Sequence, residues 1–325
     1  MAEVTLGLFD LALSNLISPP ILFFALGLVA SLIRSDLAIP EAVAKSLSIY
    51  LIMAIGFKGG VEMAGASLSD AAMAIGAGVL ISFALPFVSY GLLRATSRTG
   101  RIDAAAIAAH YGSISIVTFI AASDAGQAMS LAAAGFMVAV AAAMEAPAIF
   151  SGLMLAGKQP GQSNRDLIRE VAVNGSIILL VGAFFIGWAT GEGGQAVVAP
   201  FFNDIFRGVL CLFLLDMGLV AGRGLMRHTG ELRLPVILHG LYMPLIGAVV
   251  GLAAAWMLGL DPGTGALLMT LSASASYIAV PAAMRLALPK AKPAISLTLS
   301  LGITFPFNLI FGIPLYFAAA RTVLG

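Results

Sequence analysis

Ten apolar runs follow one another along this chain, at about 17–33, 43–64, 71–93, 103–123, 131–157, 173–190, 205–222, 235–259, 265–285 and 294–320. Most approach the roughly 20 residues that a helix needs to cross the hydrocarbon of a bilayer. In hydrocarbon every backbone N–H and C=O must be satisfied within the protein, and a helix does this within one segment. Only 10% of the residues are charged and 60% are hydrophobic, where a soluble domain carries about 25% charged residues. The chain therefore reads as an all-α polytopic membrane protein. A net charge of +1 offers nothing to nucleic acid or to an acidic polymer. The single cysteine, Cys211, lies in an apolar run and reads as packing. Residues 1–15 contain Glu3 and Asp10 but no Lys or Arg. A cleaved signal peptide needs a basic start, so the expectation is a short retained N-terminus.

Basic residues set the expected orientation. The links after the first, third, fifth, seventh and ninth runs hold 14 of the 17 Lys and Arg residues, leaving Lys58, Arg207 and Arg321 on the other side. Positive charge concentrates on the cytoplasmic side. Both termini are thus expected outside, and the link between runs 5 and 6 inside.

Two runs are interrupted in the same way. His110-Tyr111-Gly112-Ser113-Ile114-Ser115 breaks the run from Ala104 to Ala122, and Ser272-Ala273-Ser274-Ala275-Ser276-Tyr277 breaks a run 162 positions further on. Gly56 and Gly218 stand at the same offset, and Gly152 and Gly312 at a near one. Helices 1–5 (residues 1–157) thus resemble helices 6–10 (169–325) across a cytoplasmic linker, 158–168. Five is odd, so the second unit enters from the opposite face. The expected architecture is ten transmembrane helices in a five-plus-five inverted repeat, with helices 4 and 9 discontinuous. Pro86 and Pro244 are expected to kink helices 3 and 8.

Interrupted helices in corresponding positions of two halves point to a transporter's substrate site. Free N–H groups at the start of a half-helix favour an anion, and freed carbonyls favour a cation. The expected anion site is Gly112, Ser113, Ile114 and Ser115 with Ser274, Ala275, Ser276 and Tyr277. A single serine here would more often bond its own helix four residues back. Four at equivalent places favour a site. Glu145, Asn308 and Thr304, with Ser113, offer hard oxygen atoms suited to sodium. The bland alternative for Glu145 is a buried acid held by backbone. His110 and Asp216 are candidate gate or ion residues, and Asp216 is equally a cap on a broken turn. Lys58 and Glu62, four apart on helix 2, read as a self-neutralising pair. His239 reads as interfacial. No phosphate-binding loop, HExxH, GxSxG or Cys/His cluster occurs, so neither ATP-driven transport nor an enzyme is indicated.

Six pieces carry a family resemblance. They are 16–24 (LISPPILFF), 54–62 (AIGFKGGVE), 109–115 (AHYGSIS), 144–149 (MEAPAI), 272–281 (SASASYIAVP) and 305–308 (FPFN). With these the chain resembles the bacterial sodium-dependent bicarbonate permeases. That resemblance implies uptake of bicarbonate with co-transported sodium and no organic cofactor, in a bacterial plasma membrane. It implies a gate domain of helices 1, 2, 6 and 7, and a core domain of helices 3–5 and 8–10 with helices 4 and 9 crossing. It also implies a homotrimer and a small PII-like regulatory protein on the cytoplasmic face, although the segment from Lys158 to Ile168 is shorter than the family's. The competing readings are a passive anion channel, a non-transporting membrane sensor, and an organic-anion symporter.

Overall fold

The computed structural model describes residues 17–63, 67–157, 175–228, 233–277, 280–281, 283–284, 288 and 290–325. The linker 158–168, and with it the surface expected to meet a regulatory protein, lies outside the described residues. Among those described, the regular structure is all helical. In chain order the helices are α1 (Pro19–Leu32), α2 (Glu41–Met63), α3 (Leu68–Thr96), α4 (Arg101–Gly112), α5 (Ile116–Ala128), α6 (Met137–Met144) and α7 (Pro147–Ala156). They continue as α8 (Gly175–Ala199), α9 (Phe206–His228), α10 (Leu234–Met257), α11 (Pro262–Ala273) and α12 (Pro293–Leu324). By length and composition, seven stretches of the described residues can cross a membrane: α2, α3, Arg101–Ala128, Met137–Ala156, most of α9, α10 and α12. This is a multi-pass membrane protein.

Three local features depart from the reading of the sequence. Residues 192–204, expected as an outer link, are helical. Gly191 adopts φ 57° inside α8, a conformation glycine takes without a Cβ penalty, so the chain turns there and resumes its helix. The fifth run is helical only from Met137, because residues 131–134 are irregular chain and the Ala134 amide is tied to the Thr264 hydroxyl of α11 (2.9 Å). That run is also interrupted at Glu145-Ala146, since Pro147 has no N–H to continue the ladder. Finally, α12 widens into π turns at Ser300–Thr304 and Asn308–Gly312, on either side of Pro306. Such turns gather at functional sites. Pro86 and Pro244 lie inside continuous helices, α3 and α10.

Glycines decide which helices meet. In α9, Gly218 lies against the Phe24 carbonyl of α1, and in α2 Gly60 lies against the Phe184 carbonyl of α8. A Cβ at either place would overlap backbone. Without one the helices approach closely, which is how helices associate where lipid removes the hydrophobic drive. So α1 packs along α9 and α2 along α8. Elsewhere α4 is held by α3 and α7, and α11 by α10 and α12. The span Arg101–Ala128 is enclosed by the others, with 94% of its most apolar window buried. A fully enclosed span does not need a lipid-facing surface, so it can carry polar residues that one in contact with lipid cannot.

Candidate functional site

Two short extended segments meet in the middle of the protein. α4 ends at Gly112, and Ser113 takes φ −88°, ψ 164°; α11 ends at Ala273, and Ser274 takes φ −82°, ψ 165°. Gly112 permits its stop to lie against Pro86 and the Ser82 carbonyl of α3, and Gly247 of α10 lies against the Ser272 carbonyl. Beyond the first break α5 starts at once, with the Ser115 hydroxyl accepting the Thr118 amide (3.2 Å) as an N-cap. Beyond the second, Val280 is helical again.

The segments are hydrogen-bonded to each other. The Ser276 amide donates to the His110 carbonyl (2.8 Å), the His110 Nδ1–H donates to the Ser276 carbonyl (2.5 Å), and the Ser115 amide donates to Ser274 Oγ (2.9 Å). His110 is 1% exposed. Its ring ties the two segments together at the crossing.

The four serines divide by what they do with their protons. Ser113 donates to the Glu145 carbonyl (3.2 Å) and Ser274 to the Leu271 carbonyl (2.9 Å). These two present lone pairs to the site, and one lone pair of Ser274 is already taken by the Ser115 amide. The hydroxyls of Ser115 and Ser276 accept, from the amides of Thr118 and Val280 (3.4 Å), and give their protons to no carbonyl among the described residues. The Tyr277 hydroxyl is buried and faces the Ser115 hydroxyl. Ser115, Ser276 and Tyr277 thus bring three hydroxyls to the crossing, two of them close enough to interact. The first-turn amides of Ile116 and Val117 have no intrahelical acceptor. Ile114 and Ala275 are the buried apolar members of the segments, 1% and 2% exposed.

Glu145 lies in the break between α6 and α7, 6% exposed, and its Oε2 is fully buried without a partner. The carbonyls freed there are capped by serines: Met144 accepts from Ser82 (2.6 Å) and Glu145 from Ser113. Asn308 stands against the other segment. Its amide donates to the Ala273 carbonyl (3.0 Å) and its Oδ1 accepts from Tyr316 (2.8 Å). No contact among the described residues joins Glu145 to Asn308 or to Thr304. Thr304 is engaged elsewhere, donating to the Gly240 carbonyl (2.9 Å) and accepting from the Tyr111 hydroxyl (2.6 Å). Its proton and one of its two lone pairs are in use, which leaves one lone pair. Asp216 is buried on α9, in the α1–α9 pair, and no hydrogen bond or ion pair links it to the crossing.

Two further placements differ from the sequence reading. His239 is fully buried rather than interfacial. Its Nε2 meets Ser89 (2.9 Å), its Nδ1 meets Tyr242 (2.8 Å), and its ring packs edge-on against Tyr111. It ties α3 to α10 beside α4. Lys58 and Glu62 make no ion pair with each other; the one salt bridge among the described residues is Arg207–Asp124, at 2.8 Å. Neither fact could be read from spacing, because each depends on a neighbour distant in the chain.

A cavity of about 250 Å³ opens between α1, α5, α9 and α12, lined mainly by apolar side chains, with Asp124 at its edge. No curated protein matches the chain. A sequence family matches it from residue 19 to residue 321, and on that match the chain belongs to the Na+-dependent bicarbonate transporter superfamily.

Proposed function

We propose that this protein is a sodium-coupled symporter that takes up bicarbonate, or a similar small anion, by alternating access. The observation that carries the reading is the donor set at the crossing: the hydroxyls of Ser115, Ser276 and Tyr277, contributed by two separate breaks, none giving its proton to a carbonyl among the described residues, with no basic side chain among them. Neutral donors in a dry site hold a small oxyanion without trapping it as a fixed ammonium would. The carboxylate of Glu145, the residue whose backbone carbonyl Ser113 meets, supplies the complementary negative charge. A buried charge without a partner is costly, and a sodium ion between Glu145 and the lone pairs of Ser113 removes that cost. Asn308 Oδ1, at the equivalent place beside the second break, offers a second oxygen atom.

The architecture that accompanies this function is a ten-helix, five-plus-five inverted repeat. Support comes from the like conformations of Ser113 and Ser274, and from the matched pairings of α1 with α9 and α2 with α8. In that scheme α1, α2, α8 and α9 form the gate, and the remaining helices form the core that carries the crossing. The setting is a bacterial plasma membrane with both termini outside, a homotrimer, and a PII-like regulator as a further partner. Orientation is checked with a cysteine placed in residues 158–168. A membrane-impermeant thiol reagent is expected to reach it only after cells are permeabilised; labelling of intact cells reverses the orientation.

The function itself is tested with purified protein in liposomes. Labelled bicarbonate is expected to accumulate above its external concentration when sodium is higher outside, and to stop doing so when the sodium gradient is collapsed. Flux that only equilibrates, with or without sodium, makes the protein a channel. Binding without flux makes it a sensor.

A further inference from the structure

A small cavity lies away from the crossing, between α2 and α5, and it collects polar groups that the transport site does not use. Its walls include Lys58 and Glu62 of α2, Ser123 and Gln127 of α5, and residues 132–135 ahead of α6. The walls are held in register by Gly135, which lies against Gly59 and Glu62 so closely that a Cβ there would overlap both. The cavity measures about 40 Å³, room for roughly three waters or one planar oxyanion of four heavy atoms.

The polar side chains that line this space make no hydrogen bond with any described residue. Lys58 is half-buried and makes no ion pair or hydrogen bond with any described residue, and Ser123 and Gln127 are likewise unbonded. Glu62 attracts Lys58 only across a longer gap. An ammonium, a hydroxyl and an amide N–H converging on a space of this size make a donor set for a small anion. The cavity borders α5, the helix that starts at the first break. Phe119, one turn into α5 from Ser115, lines its inner wall, and Gln127 lies near the far end of the same helix. It sits between a helix of the α1, α2, α8, α9 group and a helix that carries the crossing.

We infer that Lys58, Ser123 and Gln127 form a staging site for the anion, a second binding place on the outer side of the crossing where the substrate is captured before it reaches the serines. The inference rests on the function proposed above. Lys58 raises the local anion concentration, and Glu62 opposes it, so that the anion is held weakly enough to move on. Gate and core helices contribute to the same small space, so a relative shift of the two opens or closes it.

The two charges give the test opposite signs. In liposomes, Lys58→Met is expected to raise the KM for bicarbonate about tenfold, the size of one lost charge-assisted hydrogen bond, with maximal rate and sodium dependence kept. Glu62→Gln is expected to lower it. Lys58→Cys is expected to behave like Lys58→Met, to recover on treatment with an aminoethyl methanethiosulfonate, and to worsen with the sulfonatoethyl reagent. Untreated and treated wild type, with Cys211 as its only cysteine, is the control. Unchanged KM in both Lys58→Met and Glu62→Gln, or changes of the same sign in both, overturns the staging site. So does a loss of maximal rate in Lys58→Met that both thiol reagents leave alike, since that marks Lys58 as structural. Absence of sodium-driven uptake in the wild type instead defeats the proposed function, and is read before any variant is compared.

Discussion

Glu145→Gln is expected to raise the sodium concentration for half-maximal bicarbonate uptake by about ten- to a hundredfold, while the protein still reaches the membrane. The carboxylate lies in a helix break with one oxygen atom fully buried and unpartnered. An ionised group in that position is stable only with a cation beside it, and the interaction of a charged ligand is worth roughly 1.5–3 kcal/mol. An amide keeps the shape and removes the charge, so binding weakens more than folding. The surrounding backbone does not depend on the carboxylate: the Met144 and Glu145 carbonyls are capped by Ser82 and Ser113 whatever the side chain at 145. The measurement is uptake rate against external sodium, at saturating bicarbonate, for wild type and variant at equal protein in the liposome. Wild-type sodium affinity in the variant makes Glu145 structural and moves the ion elsewhere, with Asn308 the next oxygen to test.

The second large effect is expected at Ser115 and Ser276. Neither gives its proton to a carbonyl among the described residues, and they belong to different breaks. Removing either takes a donor from one anion, so Ser115→Ala and Ser276→Ala are each expected to raise the KM for bicarbonate by about ten- to a hundredfold. Ser115 also caps α5, so its variant loses about 1 kcal/mol of local helix stability. Protein recovered from the membrane separates that loss from the loss of binding. Because the two serines share one ligand, the double variant is expected to fall short of the product of the singles. Ser113 is the contrast. Its proton is directed at the Glu145 carbonyl, so Ser113→Ala is expected to act on sodium affinity more than on the anion. Two near-neutral singles at Ser115 and Ser276 sink the anion site. Strictly multiplicative effects leave both serines important but deny that they hold the same anion.

Hydropathy alone determined the class of this protein, because a chain with 10% charged residues cannot cover a water-facing surface. The same sequence marked the polar interruptions at 110–115 and 272–277, since hydroxyls within an apolar run are conspicuous without any structure. It carried the superfamily as well, through residue patterns spread over the chain. Hydrogen-bond ownership was a different matter. Four serines look alike in the sequence, yet Ser113 and Ser274 spend their protons on carbonyls while Ser115 and Ser276 do not. That division depends on which carbonyl each hydroxyl meets, and the acceptor for Ser113 lies 32 residues away. The Thr304 hydroxyl likewise meets Tyr111 and Gly240, 193 and 64 residues distant. His239 looked interfacial until Ser89, 150 residues away, enclosed it. Lys58 and Glu62 have the spacing of a pair, but residues 132–135 fold across α2 and a cavity stands where a bridge was expected. Local pattern sets what a segment can be. Which donors remain free is set by partners brought together only when the helices pack, and those free donors are what a ligand meets.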